Sequence, residues 1–288
     1  VTLKPGDFKI EASLSREDLL DLDLLSTEKF IKGQIDNYAI IAEYRGIEDH
    51  KLAGYWILRD DKSDEEGQPQ FMGVRAYGRP ADEFRYWTDL GFVRGEDEFS
   101  QDLSGYAFEA GGTYWFLDLP LQPSITLGYA YGSGDSNPDD NKNHEYRQTG
   151  LQSNEDRFGG VTQFLVYGET LDPELSNINI YTAGLGLRPA AGAFLDIVYH
   201  HYRLNEIATE LRGSAITAQM NQIGSQLSKD VGDALDIVLG FRNLFGVRGL
   251  GFEVRGGLFF PGDAFRRDEG GVVKDADMGI TGLAVIFY

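Results

Sequence analysis

The chain has 288 residues, no cysteine, and 46 acidic against 26 basic side chains, for a formal net charge of −20. The missing thiols exclude a disulfide framework, thiolate metal sites and a cysteine nucleophile, and the acidic balance excludes a nucleic-acid partner, which needs clustered Lys and Arg. No run of ~18 apolar residues offers a transmembrane helix, but a barrel strand escapes that test because only alternate residues face lipid.

Strand-like runs recur along the whole chain: Phe8–Leu14, Gln34–Tyr44, Lys51–Arg59, Phe71–Gly78, Phe84–Arg94, Tyr106–Leu117, Ser124–Tyr131, Ser176–Leu187, Phe194–Tyr202, Ala234–Arg242, Leu250–Phe260 and Asp277–Tyr288. They number about twelve and run to about ten residues each, the length a tilted strand needs to cross a bilayer. After the first run, Ser15–Leu25 (SREDLLDLDLL) has the register of a short amphipathic helix in a loop, with an acidic face unsuited to an anionic membrane.

The connections carry the sharper signal. Short ones, rich in Gly or Pro, fall at Gly46–Asp49, Arg79–Glu83, Asp118–Pro123, Pro189–Gly192 and Asn243–Gly249. Longer polar ones alternate with them at Ser15–Lys29, Asp60–Gln70, Gly95–Leu103, Gly132–Leu175, Asn205–Val231 and Pro261–Ala276. Tight periplasmic turns alternating with long external loops are the habit of outer-membrane barrels, and a soluble sandwich has no reason to keep that order. The expected fold is therefore all-β: one membrane-spanning, antiparallel up-and-down β-barrel of about twelve strands over residues 1–288. Both chain ends are expected in the periplasm and the acidic loops outside, among lipid and lipopolysaccharide. The leader is expected to have been removed, since residue 1 opens directly in mature-looking sequence. The final aromatic Tyr288 is the ending that the barrel-assembly machinery reads.

Period-2 patterning assigns faces. Leu235, Ile237, Leu239 and Phe241 oppose Asp236, Val238, Gly240 and Arg242; Phe252, Val254 and Leu258 oppose Glu253, Arg255 and Gly257. Ile178 and Ile180 oppose Asn177, Asn179 and Tyr181, and lipid is expected to take the apolar side each time. In Gly279–Tyr288 both faces are apolar and the pattern assigns neither.

Arginine on a lipid face costs about 2–4 kcal/mol at mid-bilayer, so strand arginines are expected to point inward or to lie near an interface. Arg75, Arg85, Arg203, Arg242 and Arg255, with the acids Asp89, Glu109, Asp196, Asp236 and Glu253, form the expected charged lumen. Such a lumen either selects solutes or fills the barrel with salt bridges. Its mixed sign suits a polar or sugar-like solute better than a strongly anionic polymer. In the loop GSGDSNPDDNKNH, Asp135, Asn137, Asp139 and Asn141 alternate as in the first half of a calcium loop. No Gly stands at the sixth position and Glu145 is too close to close the site, which leaves a solvated acidic loop as the other reading; no further cofactor is expected. The whole loop up to Leu175 is long enough to fold into the pore mouth as a gate. His200 and His201 face opposite ways on a strand and share no ion, and the bland reading for them is an interfacial aromatic position. No Ser–His pair compels a hydrolase.

Five stretches, in this order, resemble the C-terminal portion of the alginate export porin family: GYAYGSG at Gly128–Gly134, QTGLQSN at Gln148–Asn154, YGETLDPELSNI at Tyr167–Ile178, IVYHHYR at Ile197–Arg203 and RGGLFFPGDAF at Arg255–Phe265. The last is the most specific. The resemblance implies an outer-membrane barrel that passes an anionic exopolysaccharide through an arginine-lined constriction. Two features depart from it. The resemblance implies about eighteen strands where about twelve are legible here, as in a chain lacking N-terminal strands, the barrel end of a longer chain, or a shortened natural relative. The segment matching the family's arginine-rich stretch, Phe158–Leu175, holds no arginine. The expected function is a porin or exporter for a polysaccharide or small polar solute; its rivals are a non-conducting scaffold barrel and an outer-membrane hydrolase.

Overall fold

The computed structural model describes residues 1–19, 33–63, 66–150, 154–158, 162–215, 220, 227–269, 272–274 and 279–287. Among these, twelve long strands follow one another: β1 Phe8–Leu19, β2 Gly33–Tyr44, β3 His50–Asp61, β4 Gln70–Ala81, β5 Phe84–Glu96, β6 Tyr106–Trp115, β7 Ser124–Gly132, β8 Ile178–Leu187, β9 Ala193–Leu204, β10 Asp230–Arg242, β11 Gly251–Pro261 and β12 Gly279–Phe287. Each pairs antiparallel with its neighbours in chain order, so the wall is an up-and-down β-barrel meander. All twelve expected strands are present. The amphipathic helix is not: Ser15–Leu19 continues β1, paired from Ser15↔Asn37 to Leu19↔Gly33. The ladder to β2 satisfies that backbone, and five residues are too few for a helix to compete. The rest of that segment, and Tyr288, lie outside the described residues.

One end of the wall carries the connections 45–49, 82–83, 116–123, 188–192 and 243–250, the other the connections 20–32, 62–69, 97–105, 133–177, 205–229 and 262–278. The expected alternation holds: the first long strand begins and the last ends at the short-turn rim, where Phe8 pairs Tyr44 and Gly251 pairs Phe287, while residues 1–3 fold back along the edge of β1, with Thr2 opposite Glu11.

The outer face is apolar across its middle, with Ile40, Val74, Leu127, Leu185, Ile237 and Leu239 all exposed. Rings gather toward both rims. At the short-turn side Phe8 meets Tyr44 (4.9 Å) and Tyr114 meets Phe116 (5.1 Å); at the long-loop side Tyr106 meets Tyr131 (5.5 Å) and Tyr129 meets Tyr181 (5.1 Å). An exposed apolar band between two aromatic girdles is the surface that a bilayer requires of a barrel. The long-loop ends of β1–β3 carry charge instead: Arg16 and Lys62 both bind Asp36, at 2.8 and 2.9 Å.

The core lies inside the barrel, at its long-loop end. Inner-face residues Val93, Ala107, Ile178, Ile180, Tyr202, Leu204 and Phe259 pack against Tyr146, Tyr167, Leu171 and Leu175 from the inward-folded 133–177 loop. This corrects one facing. Ile178 and Ile180 are fully buried on the inner face and Tyr181 is exposed outside. The alternation was legible, but the dry surface those isoleucines cover is a folded loop, not lipid. On β10 and β11 the expected faces hold: Ile237, Leu239 and Val254 are exposed outward, and Asp236 and Glu253 are buried inside.

Candidate functional site

The loop 133–177 crosses the lumen. Its near end is knitted to the β5–β6 connection, where Lys142–Asn143 pairs with Asp102–Leu103 and the Asn143 amide donates to Asp97 at 3.1 Å. A small hairpin, Glu155–Phe158 with Thr162–Leu165, then turns inward. Phe164 is fully buried against Phe194, Val198 and Val238 of the wall, which contributes about 1.5–3 kcal/mol to docking.

Residues 167–169 are tied to four strands. The Tyr167 hydroxyl donates to Glu109 Oε2 on β6 (3.0 Å), and the Tyr202 hydroxyl on β9 donates to the Tyr167 carbonyl (2.8 Å). The Glu169 backbone N–H donates to Asp236 Oδ2 on β10 (3.2 Å), while its carboxylate stands 3.7 Å from Arg255 on β11. Gly168 sits between them at φ +109, where a β-carbon would be strained and would strike the Tyr202 hydroxyl.

Most expected lumen charges face inward, and they are paired. Arg75 Nε donates to Asp89 at 2.7 Å. Glu109 accepts from Trp87 Nε1 at 2.8 Å as well as from Tyr167. Asp196 is held by Arg188 at 3.0 Å, near the short-turn rim. Arg255 binds Glu253 beside it, and Arg242 lies 5.8 Å over the Phe194 ring. Arg85 lines the same lumen as Arg75. Arg203 is the exception. It is exposed on the outer face, between the buried inner residues Tyr202 and Leu204, at the long-loop end of β9. Lying at a rim rather than at mid-bilayer is what removes the desolvation cost there.

His200 and His201 do face opposite ways. His201 is outside, 2.9 Å from Asp233. His200 is not interfacial: it is fully buried inside, with Nδ1 3.0 Å from Thr182 Oγ1 and Nε2 3.3 Å from Asp236 Oδ2. That Nε2 makes no hydrogen bond, so the ring lies beside the carboxylate that anchors the loop without being bonded to it. The gap beside Thr182 is only about 10 Å³. At the calcium-like segment, the Asp135 carboxylate accepts from the Asn137 backbone at 3.3 Å, and among the described residues no group of three His, Asp or Glu side chains is placed to hold a metal ion.

Below the loop, toward the short turns, opens a cavity of about 740 Å³. Besides the charges named above, its lining includes Tyr55, Tyr77 and Trp87 from the wall and Tyr146 and Tyr167 from the loop. Sequence reasoning missed these five. The signal was there for the first three, because Tyr55, Tyr77 and Trp87 share strand parity with Arg75 or Asp89 once the register is known. For Tyr146 and Tyr167 no local signal existed.

Burial holds the carboxyls of Glu169, Asp172 and Glu174 above the ordinary carboxylate range. The docked loop therefore binds protons more tightly than a loop released to water. Docking is firm below the ordinary value of about 4 and weakens as pH rises through the raised values. Proteolytic cleavage within the loop is expected to increase across that window; cleavage that falls with rising pH contradicts the assignment.

The alginate export family profile matches residues 29–278. The chain belongs to the alginate export family. It is 25% identical over 232 residues to the alginate production protein AlgE of Pseudomonas aeruginosa, covering 69% of this chain and 45% of that one. Against AlgE of Azotobacter vinelandii the identity is 25% over 170 residues, covering 52% and 35%. This family member thus spans less than half the length of these curated relatives. Its fold resembles that of Acinetobacter baumannii OccAB3, with TM-score 0.57, 14% identity and coverage of 99% of this chain and 65% of that one. It also resembles P. aeruginosa OccK11 (OpdR), with TM-score 0.56, 14% identity and coverage of 99% and 66%.

Proposed function

We propose that this chain is the wall of an outer-membrane export porin, passing a polar solute or exopolysaccharide through its lumen, with the 133–177 loop as the constriction. The observation that carries this reading is the loop itself, tied at residues 167–169 to four strands across the barrel interior. Family membership supports transport rather than catalysis. The short-turn rim faces the periplasm, and the long loops face outward among the lipopolysaccharide headgroups. The test is planar-bilayer conductance of the reconstituted chain. Discrete ion-conducting steps are expected, and an electrically silent barrel favours a scaffold instead.

Lumen charges set the selectivity. Arg75→Ala leaves Asp89 facing the lumen without its 2.7 Å partner, and Arg255→Ala does the same to Glu253 and Glu169. Each variant is expected to shift the cation-to-anion permeability ratio upward by about two- to fivefold. Reversal potentials in a salt gradient measure this. Unchanged potentials assign both arginines a purely structural role.

A further inference from the structure

Trp87 lies face down on the barrel wall. A β-carbon on Gly111 of the neighbouring strand would stand 2.6 Å from Cε2 and 2.7 Å from Cη2 of the indole, and closer still to Cζ2 between them. Near-equal distances to both neighbours of the closest atom put that point above the ring; approach to its edge would leave both much farther away. At Tyr55 the phenol end covers the neighbouring glycine, with Cζ and hydroxyl equally close to the β-carbon position of Gly73. Each ring occupies the space that a side chain would fill, a cross-strand pairing of aromatic and glycine, and each lines the cavity below the loop. The cavity's charged lining is Arg75 and Arg85 against Asp89, Glu109 and Glu155, so its carboxylates outnumber its guanidiniums.

We propose that Trp87 and Tyr55, with Tyr77 beside them, form a stacking subsite for uncharged pyranose units of a glycan. A pyranose presents apolar C–H faces that pack on aromatic faces and equatorial hydroxyls that need donors and acceptors. The Arg75–Asp89 pair and the Tyr55 hydroxyl, itself 3.4 Å from Asp89, supply those at the ring edges. A polyuronate gains nothing from a lining whose acids exceed its bases. The inference deepens the reading of the chain as a glycan-passing porin and rests on it for its direction of use.

The test titrates the full chain in detergent micelles with maltohexaose and with a hexauronate at matched ionic strength, and follows current block by the same sugars in planar bilayers. Maltohexaose is expected to bind more tightly than the hexauronate. Trp87→Ala and Tyr55→Ala should each weaken it by about tenfold, while Trp87→Phe, which keeps a ring over Gly111, stays within about threefold. Heat-shifted gel mobility shows which variants fold. Tighter hexauronate binding, no maltohexaose binding, or equal affinity in both folded alanine variants overturns the subsite. A barrel that binds the sugar in this pattern yet passes no current upholds the subsite and overturns the porin reading, whereas one that conducts but ignores the sugar overturns the subsite alone.

Discussion

Replacing residues 150–170 by a short Gly–Ser linker should raise single-channel conductance by about threefold or more. That segment contains the hairpin, the buried Phe164 and the three residues tied to β6, β9, β10 and β11. Its removal costs the docking contacts, about 2 kcal/mol at Phe164. The eleven ladders between the twelve strands remain intact, and Glu109 and Asp236 pass from loop partners to water. Tyr202→Phe is the milder companion. It deletes one hydrogen bond to the Tyr167 carbonyl, worth about 1 kcal/mol, and should lengthen open dwell times without changing the full conductance. Equal conductance with and without the segment would place the constriction elsewhere.

Ile237→Arg is the second large effect. Ile237 is exposed on the outer face, opposite Ile197 and Gly256 on the flanking strands and away from both rims. On a protein surface in water, arginine at such an exposed position costs almost nothing. In a bilayer it costs about 2–4 kcal/mol. Urea titration of folding into phosphatidylcholine vesicles measures the difference. Arg203→Leu, at the long-loop end of the same outer face, serves as the rim control, with a change under about 1 kcal/mol. Full tolerance of Ile237→Arg in vesicles would sink the membrane assignment.

The strand count and the alternation of turns were legible because both are local: period-2 runs bounded by Gly and Pro mark strands, and connection length needs no tertiary knowledge. Lumen placement was legible for Arg75, Asp89, Glu109, Asp196, Asp236, Glu253 and Arg255, because a charge on a membrane strand has one inexpensive side. The same rule leaves rim positions free, and there it misplaced Arg203. Ser15–Leu25 read as a helix from its leucines and acids together, and over Ser15–Leu19 the ladder to β2 decided for strand.

By itself, the sequence determined a transmembrane meander and the mixed sign of its inward charges, which are written in spacing, and its family, which five matching stretches carry. Only the tertiary structure decided what fills that lumen. A loop of mixed polarity carries no mark of the wall it will dock on, so the inward turn of 133–177, the burial of Ile178 and Ile180 beneath it, and the roofing of an aromatic cavity by Tyr146 and Tyr167 emerge only when distant strands close around it.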